Sequence, residues 1–393
     1  MNLKEKNDLS TENGLPYNYN YKVYIYMYYI IQTENLLAAL QKTITVIEKR
    51  QTLPILANVL LICDEDRLKL KATDLEIEIG SEAILLETHE TGEITVPARK
   101  LFDICRTLPA DSQIKFTLKE GRVYIVSNRS RFVLSTLPAT EYPVLDALQN
   151  PTVFKISQSA LKKLLDKTAF AMAQQDVRYY LNGLLLEINS NSIKSVTTDG
   201  HRLALSSVEQ SLDIDSNQQI ILPRKGIIEL LRLIDDSDDE VEISLTSNHI
   251  QVELKDARFT SKLIDGKFPD YSRVVPSDCP NMMLANREQL RSALIRTAIL
   301  TNDKYKGVRF QLDNHLLKIK THNPEKEEAE EELEVNYPGS AVEVGFNINY
   351  LMDILNVIDS ELVQFNLKDS GSSCLIHNEG DTTSQYVVMP MRL

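Results

Sequence analysis

Nowhere in these 393 residues do about 18 apolar residues run together, so the sequence offers no candidate for a membrane-spanning helix. Cysteine is scarce as well. Cys63, Cys105, Cys279 and Cys374 lie far apart, form no C-x-x-C pair and have no histidine at ligand spacing. This argues against a structural zinc site and for reduced, mostly buried thiols in a cytosolic protein. Glycine-rich phosphate loops and serine or cysteine nucleophile motifs are missing too. His201 beside Asp199 invites a catalytic reading, but no nucleophile motif accompanies the pair. The N-terminus has no apolar core and no small-residue cleavage site, which excludes a signal peptide. Residues 1–16 are polar, and Tyr17, Tyr19, Tyr21, Tyr24, Tyr26, Tyr28 and Tyr29 crowd the stretch behind them. The first regular pattern opens at Met27, so residues 1–26 read as an extension, with Met27 an alternative start.

What the sequence does have is a long internal repeat. LKLKATDLEIEI at 68–79 is answered by IKSVTTDGHRLAL at 193–205 and LKIKTHNPEKEE at 317–328, setting Asp74, Asp199 and Asn323 at intervals of 125 and 124. ITVPARKLFDIC at 94–105, IILPRKGIIELL at 220–231 and VGFNINYLMDIL at 344–355 repeat likewise, with Asp103, Glu229 and Asp353 as markers. TEYP, ending at Pro143, and GKFP, ending at Pro269, are 126 apart. Such a period is the size of a domain. The expected division is an extension at 1–26 and domains at 27–151, 152–280 and 281–393. Each unit predicts an early amphipathic helix (34–50, 158–173 and 287–301) and a second behind VPARK, LPRKG or FNINY. Short alternating strands such as 122–126 and 249–254 lie between them. Two helices and about eight strands per unit make an α+β fold with antiparallel sheets.

A net charge of −13 is wrong for a nucleic-acid binder if spread evenly. It is not. The six candidate helices sum to +8, leaving −21 on everything else. Glutamate favours helices as much as lysine does, so propensity does not explain the sign. A basic helical surface under an acidic exterior would attract phosphate without sequence preference.

DVRYYLNG at 176–183, TDGHRL at 198–203 and YVVMPMRL at 386–393 resemble the bacterial DNA polymerase III beta subunit family, the sliding clamps. RQTLPIL at 50–56, VPARK at 96–100, the SRF and LSTLP pieces of 130–138, KFPDY at 267–271 and NPEKEEAEE at 323–331 fit it too. The resemblance runs from Met27 to Leu393. It implies three copies of a DNA-clamp domain, two helices packed on antiparallel sheets, with two chains closing head to tail into a six-domain ring. Helices would line the hole, sheets would form the rim, and double-stranded DNA would be held by topology.

The resemblance also implies sites. Arg50, Gln175, Tyr179 and Tyr180 correspond to DNA-contacting positions, and Arg99, Lys100, Arg106, Arg224 and Lys225 are candidate lining cations. A pocket for short linear peptides from the replicative polymerase and the clamp loader would use Arg178, Leu181, Thr198, Gly200, His201, Arg202 and Leu203. Pro269, Arg273 and Val274 would share one wall. Asn347, Tyr350, Ser373, Val387, Val388, Met389, Pro390, Met391 and Arg392 would stand opposite. Gly371 departs from relatives with a larger aliphatic residue, which would make the wall shallower. At the homodimer interface Phe132 and Leu134 would pack on Ile299 and Leu300, with Arg129 and Arg131 facing Glu325, Glu327, Glu328, Glu330 and Glu331. No cofactor, metal or membrane partner is expected, and the loader would be a separate ATP-driven assembly. The rival readings are a metal-dependent nuclease built on the glutamate run and an acidic scaffold that never touches DNA.

Overall fold

The computed structural model describes residues 25–48, 53–145, 148–214, 216–302 and 304–392. Six α-helices stand among them: α1 Thr33–Thr43, α2 Ala98–Thr107, α3 Gln158–Asp166, α4 Arg224–Leu233, α5 Arg287–Ala298 and α6 Ile348–Val357. Every repeat has the same order: strand, helix, four strands, helix, three strands. The expected eight strands and two helices per unit are present three times over.

The helices pair within each repeat, α1 with α2, α3 with α4 and α5 with α6. Each buries an apolar stripe at spacings of three and four, such as Leu36, Ala39, Leu40 and Thr43 on α1. Burying one such leucine contributes about 1.5–3 kcal/mol. The second helices begin behind Pro97 and Pro223, while in the third copy Asn347 replaces proline and accepts the Asn349 N–H at 2.9 Å. The early helices are shorter than their periodicity predicts. α1 tightens into a 3-10 turn at Ile44–Val46, within a β-branched run that crowds an α-helix. α3 stops at Asp166, where Thr168 bonds back to the Leu164 carbonyl at 2.7 Å. α5 ends at Ala298. The first strand starts at Ile25, two residues inside the stretch assigned to the extension.

Strand pairing does not stop at the repeat boundaries. Ile77–Glu90 of the first repeat pairs antiparallel with Ala257–Lys262 of the second, Ser81 facing Ala257 and Ile79 facing Phe259. Arg202–Glu209 of the second pairs in the same way with Asp381–Val388 of the third, Leu203 facing Val387. Buried thiols match expectation for Cys63, Cys105 and Cys374, whereas Cys279 is half-buried. Burial pushes Cys105 up to about 12, so it stays protonated.

The helix cations are largely committed. Lys42 reaches Asp256 and Lys225 reaches both Glu48 and Asp74, all across the first boundary. Lys167 reaches Asp359 across the second. The excess positive charge on the helices therefore goes in part into joining domains, and counting charges along a sequence cannot separate that use from an open basic surface.

Candidate functional sites

The second boundary holds an apolar cluster, at the place where the resemblance expects the peptide hollow. Leu181, Leu185, Val196, Leu203, Ile221 and Phe268 of the second repeat cluster with Val387 of the third, with Tyr180, Ile264, Tyr271, Val275 and Leu375 at the margin. The backbone is bent to shape it. Gly200 has φ +88°, and a Cβ there would lie 3.1 Å from the Arg178 guanidinium. Arg178 is clamped by the Asp176 carboxylate at 2.8 and 3.0 Å, and that bond holds Asp176 down at about 2. Thr198 donates to the Arg202 carbonyl at 2.6 Å.

The far wall comes from the third repeat. The Met389 N–H bonds the His201 carbonyl at 2.9 Å and the Met391 N–H bonds the Gly345 carbonyl at 2.8 Å, so the C-terminal segment runs along both repeats. Met389 stays exposed, a polarisable thioether on the rim. Pro269, Arg273 and Val274 are exposed on the near side, and Ser373 is half-buried.

Two of the named residues do different work. Arg202 bonds Asp199 at 3.1 Å, Asp353 at 2.5 Å and the Phe170 carbonyl at 2.8 Å, and lies over the Tyr350 ring at 4.5 Å. It rivets the third repeat to the second. Val388 faces away from the hollow into the third repeat's core, because successive residues of a strand point to opposite faces.

The repeat explains why the hollow lies where it does. Thr73, Thr198 and His322 face Glu78, Leu203 and Glu328 in equivalent hairpins. Next to them the first repeat carries Lys71, 3.6 Å from Glu78, and the third carries Lys320. Only the middle copy has an aliphatic pair, Val196 and Leu203. Val196, Leu185, Phe268 and Leu375 were not picked out from the sequence; aligning the three copies column by column would have found Val196.

Three family descriptions match in order: DNA polymerase III beta subunit, N-terminal domain at 27–146, central domain at 155–270 and C-terminal domain at 272–392. The beta sliding clamp of Pseudomonas aeruginosa is 52% identical over 367 residues, 93% of this chain and all of that protein. That of Escherichia coli K12 is 45% identical over the same share. A crystal structure of the Pseudomonas aeruginosa subunit superposes with TM-score 0.91 at 51% identity, and one with 52% identity is bound to griselimycin, each covering 93% of this chain and 100% of that one.

The chain belongs to the DNA polymerase III beta subunit family.

For a sliding clamp the loop before the hollow matters next. Gln175 is exposed in a left-handed turn, φ 56°. Tyr179 is 58% exposed and meets Tyr180 edge to face at 5.8 Å. Tyr180 leans into the apolar cluster, so packing accounts for much of its position. Arg50 lies outside the described residues. Of the lining candidates, Lys100 is exposed; Arg99 donates to the Ile47 carbonyl at 2.7 Å, Arg106 to Asp103 at 3.2 Å and Arg224 to the Met172 carbonyl at 3.3 Å. Burial works against charge on Lys225, but its bonds to Asp74 and Glu48 outweigh that and raise its pKa.

His201 and Asp199 do not make a catalytic pair. The Asp199 carboxylate accepts the N–H groups of His201 and Arg202 at 2.9 and 3.0 Å and the Arg202 guanidinium. Among the described residues, no group of three or more histidine, cysteine or acidic side chains is placed to hold a metal ion.

The candidate interface residues lie in the first and third repeats. Arg129 and Arg131 are exposed, Phe132 is half-buried, and Leu134 is buried in its own domain's core. Ile299 is 76% exposed beside half-buried Leu300. The glutamates split by strand face. Glu331 turns inward to Arg296 at 2.7 Å, Glu330 meets Lys320 at 2.9 Å, Glu327 accepts from Asn323 at 2.6 Å, and Glu325 and Glu328 are exposed.

Proposed function

We propose that two copies of this chain close head to tail into a six-domain ring around duplex DNA. One observation carries the reading. In every copy but one, the strand after the first hairpin pairs with the last strand of the next repeat: 77–90 with 257–262, and 202–209 with 381–388. The strands left over are Glu328–Glu334 of the third repeat and Ser130–Ser135 of the first, each the outermost of its sheet. A second copy supplies each with its missing neighbour, and a heterologous join used twice closes the ring.

The first boundary also predicts the register. Glu331 sits opposite the partner subunit's Ser130, Glu330 opposite its Arg131 and Glu328 opposite its Val133. Exposed residues then face exposed ones, and half-buried Ala329 faces half-buried Phe132. Exposed ion pairs are each worth about 0–1 kcal/mol, so the apolar contacts of Ile299, Leu300 and Phe132 supply most of the free energy while charge fixes the pairing.

The ring is a processivity factor without catalytic chemistry or cofactor of its own, acting in the cytoplasm. Gln175, Tyr179 and the Arg50 position touch DNA weakly and without sequence preference, since topology retains the duplex. The hollow at the second boundary takes linear peptides of the polymerase, the clamp loader and other DNA-processing proteins through an apolar anchor. Loading on closed circular and on linear DNA tests this. Retention on circles with loss from free ends is expected; equal retention on both would refute a ring.

A further inference from the structure

The first repeat carries its own copy of the peptide hollow, and there the linker to the second repeat lies across it. Glu78 is the counterpart of Leu203, and Thr260, which it faces across the first boundary, is the counterpart of Val387. The Leu145 N–H bonds the Glu78 carboxylate at 3.3 Å, and Leu145, Leu148 and Pro151 close with Lys71, Glu78 and Thr260 round a cavity of about 330 Å³. Counted from Pro143 and Pro269, Leu145 corresponds to Tyr271. The second linker, residues 270–280, takes another course. Leu203 offers its backbone no acceptor, and Glu187 stands where the first copy has Ile62. The Tyr271 hydroxyl donates to the Glu187 carboxylate at 2.5 Å, and the Gln219 amide donates to the other oxygen of that carboxylate at 2.8 Å. Burial, and then the carboxylate itself, push the Tyr271 hydroxyl well above its ordinary range, so it remains a donor.

We propose that Glu187 is a positioning residue for peptide recognition: its bond to Tyr271 draws the linker 270–280 to one side and keeps the hollow accessible. This rests on the reading of the hollow as the peptide site. Among the described residues, the bond is the one hydrogen bond that ties 265–280 to another element. Phe268 and Val275 pack on the apolar cluster, but burial of apolar surface is not directional, so the hydroxyl decides where the segment lies. Glu187 follows Leu185 on the same face of its strand, about 7 Å further along. Held there, the linker presents Pro269, Arg273 and Val274 as the near wall. Freed, it settles across the cluster as the first linker settles across Glu78. A linker over the site lowers the fraction of molecules competent to bind, which slows association and leaves dissociation alone. Loss of a direct contact with the peptide acts chiefly on dissociation instead.

The test is stopped-flow anisotropy on the full chain with a fluorescein-labelled clamp-binding segment of the replicative polymerase subunit. Tyr271→Phe keeps the ring and removes the hydroxyl; Glu187→Ile installs the residue of the first copy. Each should slow association about five- to tenfold, with dissociation unchanged and the fold intact by circular dichroism. Combined, the two changes should do no more than either alone. Glu187→Gln, whose side-chain carbonyl still accepts from the hydroxyl, should keep most of the wild-type rate. Unchanged association, a loss confined to dissociation, or additive effects overturn the proposal. If the wild-type protein does not bind the segment at all, the reading of the hollow fails first, a separate outcome, and takes the proposal with it.

Discussion

Reversing Arg131 to glutamate puts the edge pairing under direct strain. In the proposed register Arg131 stands opposite Glu330 of the partner subunit, diagonal to its Glu328. Glu330 already shares Lys318 and Lys320 within its own chain, so Glu328 is the acid that Arg131 chiefly meets. An exposed pair contributes at most about 1 kcal/mol, and replacing attraction with repulsion changes the balance by about 1–2 kcal/mol. Each ring contains this contact twice, so the dimer should weaken by about 2–4 kcal/mol, roughly 30- to 1000-fold in dissociation constant. High salt should shrink the difference, because both side chains lie in solvent. Native mass measured across a dilution series reads the constant. Glu328→Arg in the Arg131→Glu background should recover most of the loss. Weakening that this second change leaves untouched, or that ignores salt, would refute the register.

Val196→Lys with Leu203→Glu writes the first repeat's polar pair into the peptide hollow; clamp-binding peptides should lose about 10- to 100-fold in affinity by fluorescence anisotropy, with the dimer unchanged. Arg202→Ala leaves Asp199 and Asp353 without their shared cation and should cost about 2–3 kcal/mol, read as a lower urea midpoint for separating the third repeat from the second. Lys225 has a raised folded-state pKa, so its contribution is complete below the unfolded value of 10.5 and fades as pH climbs through the folded one. Lys225→Met should therefore flatten the alkaline limb of a stability profile taken from pH 9 to 12. Tyr179→Ala should reduce retention on circular DNA while leaving peptide affinity intact; equal loss of both would move Tyr179 to the hollow.

Much of this was legible in the sequence because a repeat gives three looks at each position. The markers Asp74, Asp199 and Asn323 do fall at equivalent hairpins, and Pro97 and Pro223 do precede their helices. What could not be read was how charge is distributed between surfaces. Lys42, Lys167 and Lys225 look like channel cations in one dimension, yet their carboxylate partners are 151 or more residues away. Strand alternation likewise divided residues that stand side by side. Val387 belongs to the hollow and Val388 to a core; Glu330 faces out and Glu331 in. A list of neighbouring site residues blurs that distinction, since burial alternates with a period of two while motifs are matched as continuous strings.

Sheet continuity across the boundaries bears on solubility during loading. A closed ring satisfies both strand edges, Ser130–Ser135 and Glu328–Glu334, at each of its two seams. Parting one seam bares an unsatisfied ladder of N–H and C=O groups on each side, the kind of surface that recruits foreign strands into aggregates. The glutamates at 328, 330, 332 and 334 and the arginines at 129 and 131 give each bared edge a strong charge of its own. Like edges on separate opened clamps repel, and only the intended mate is attracted.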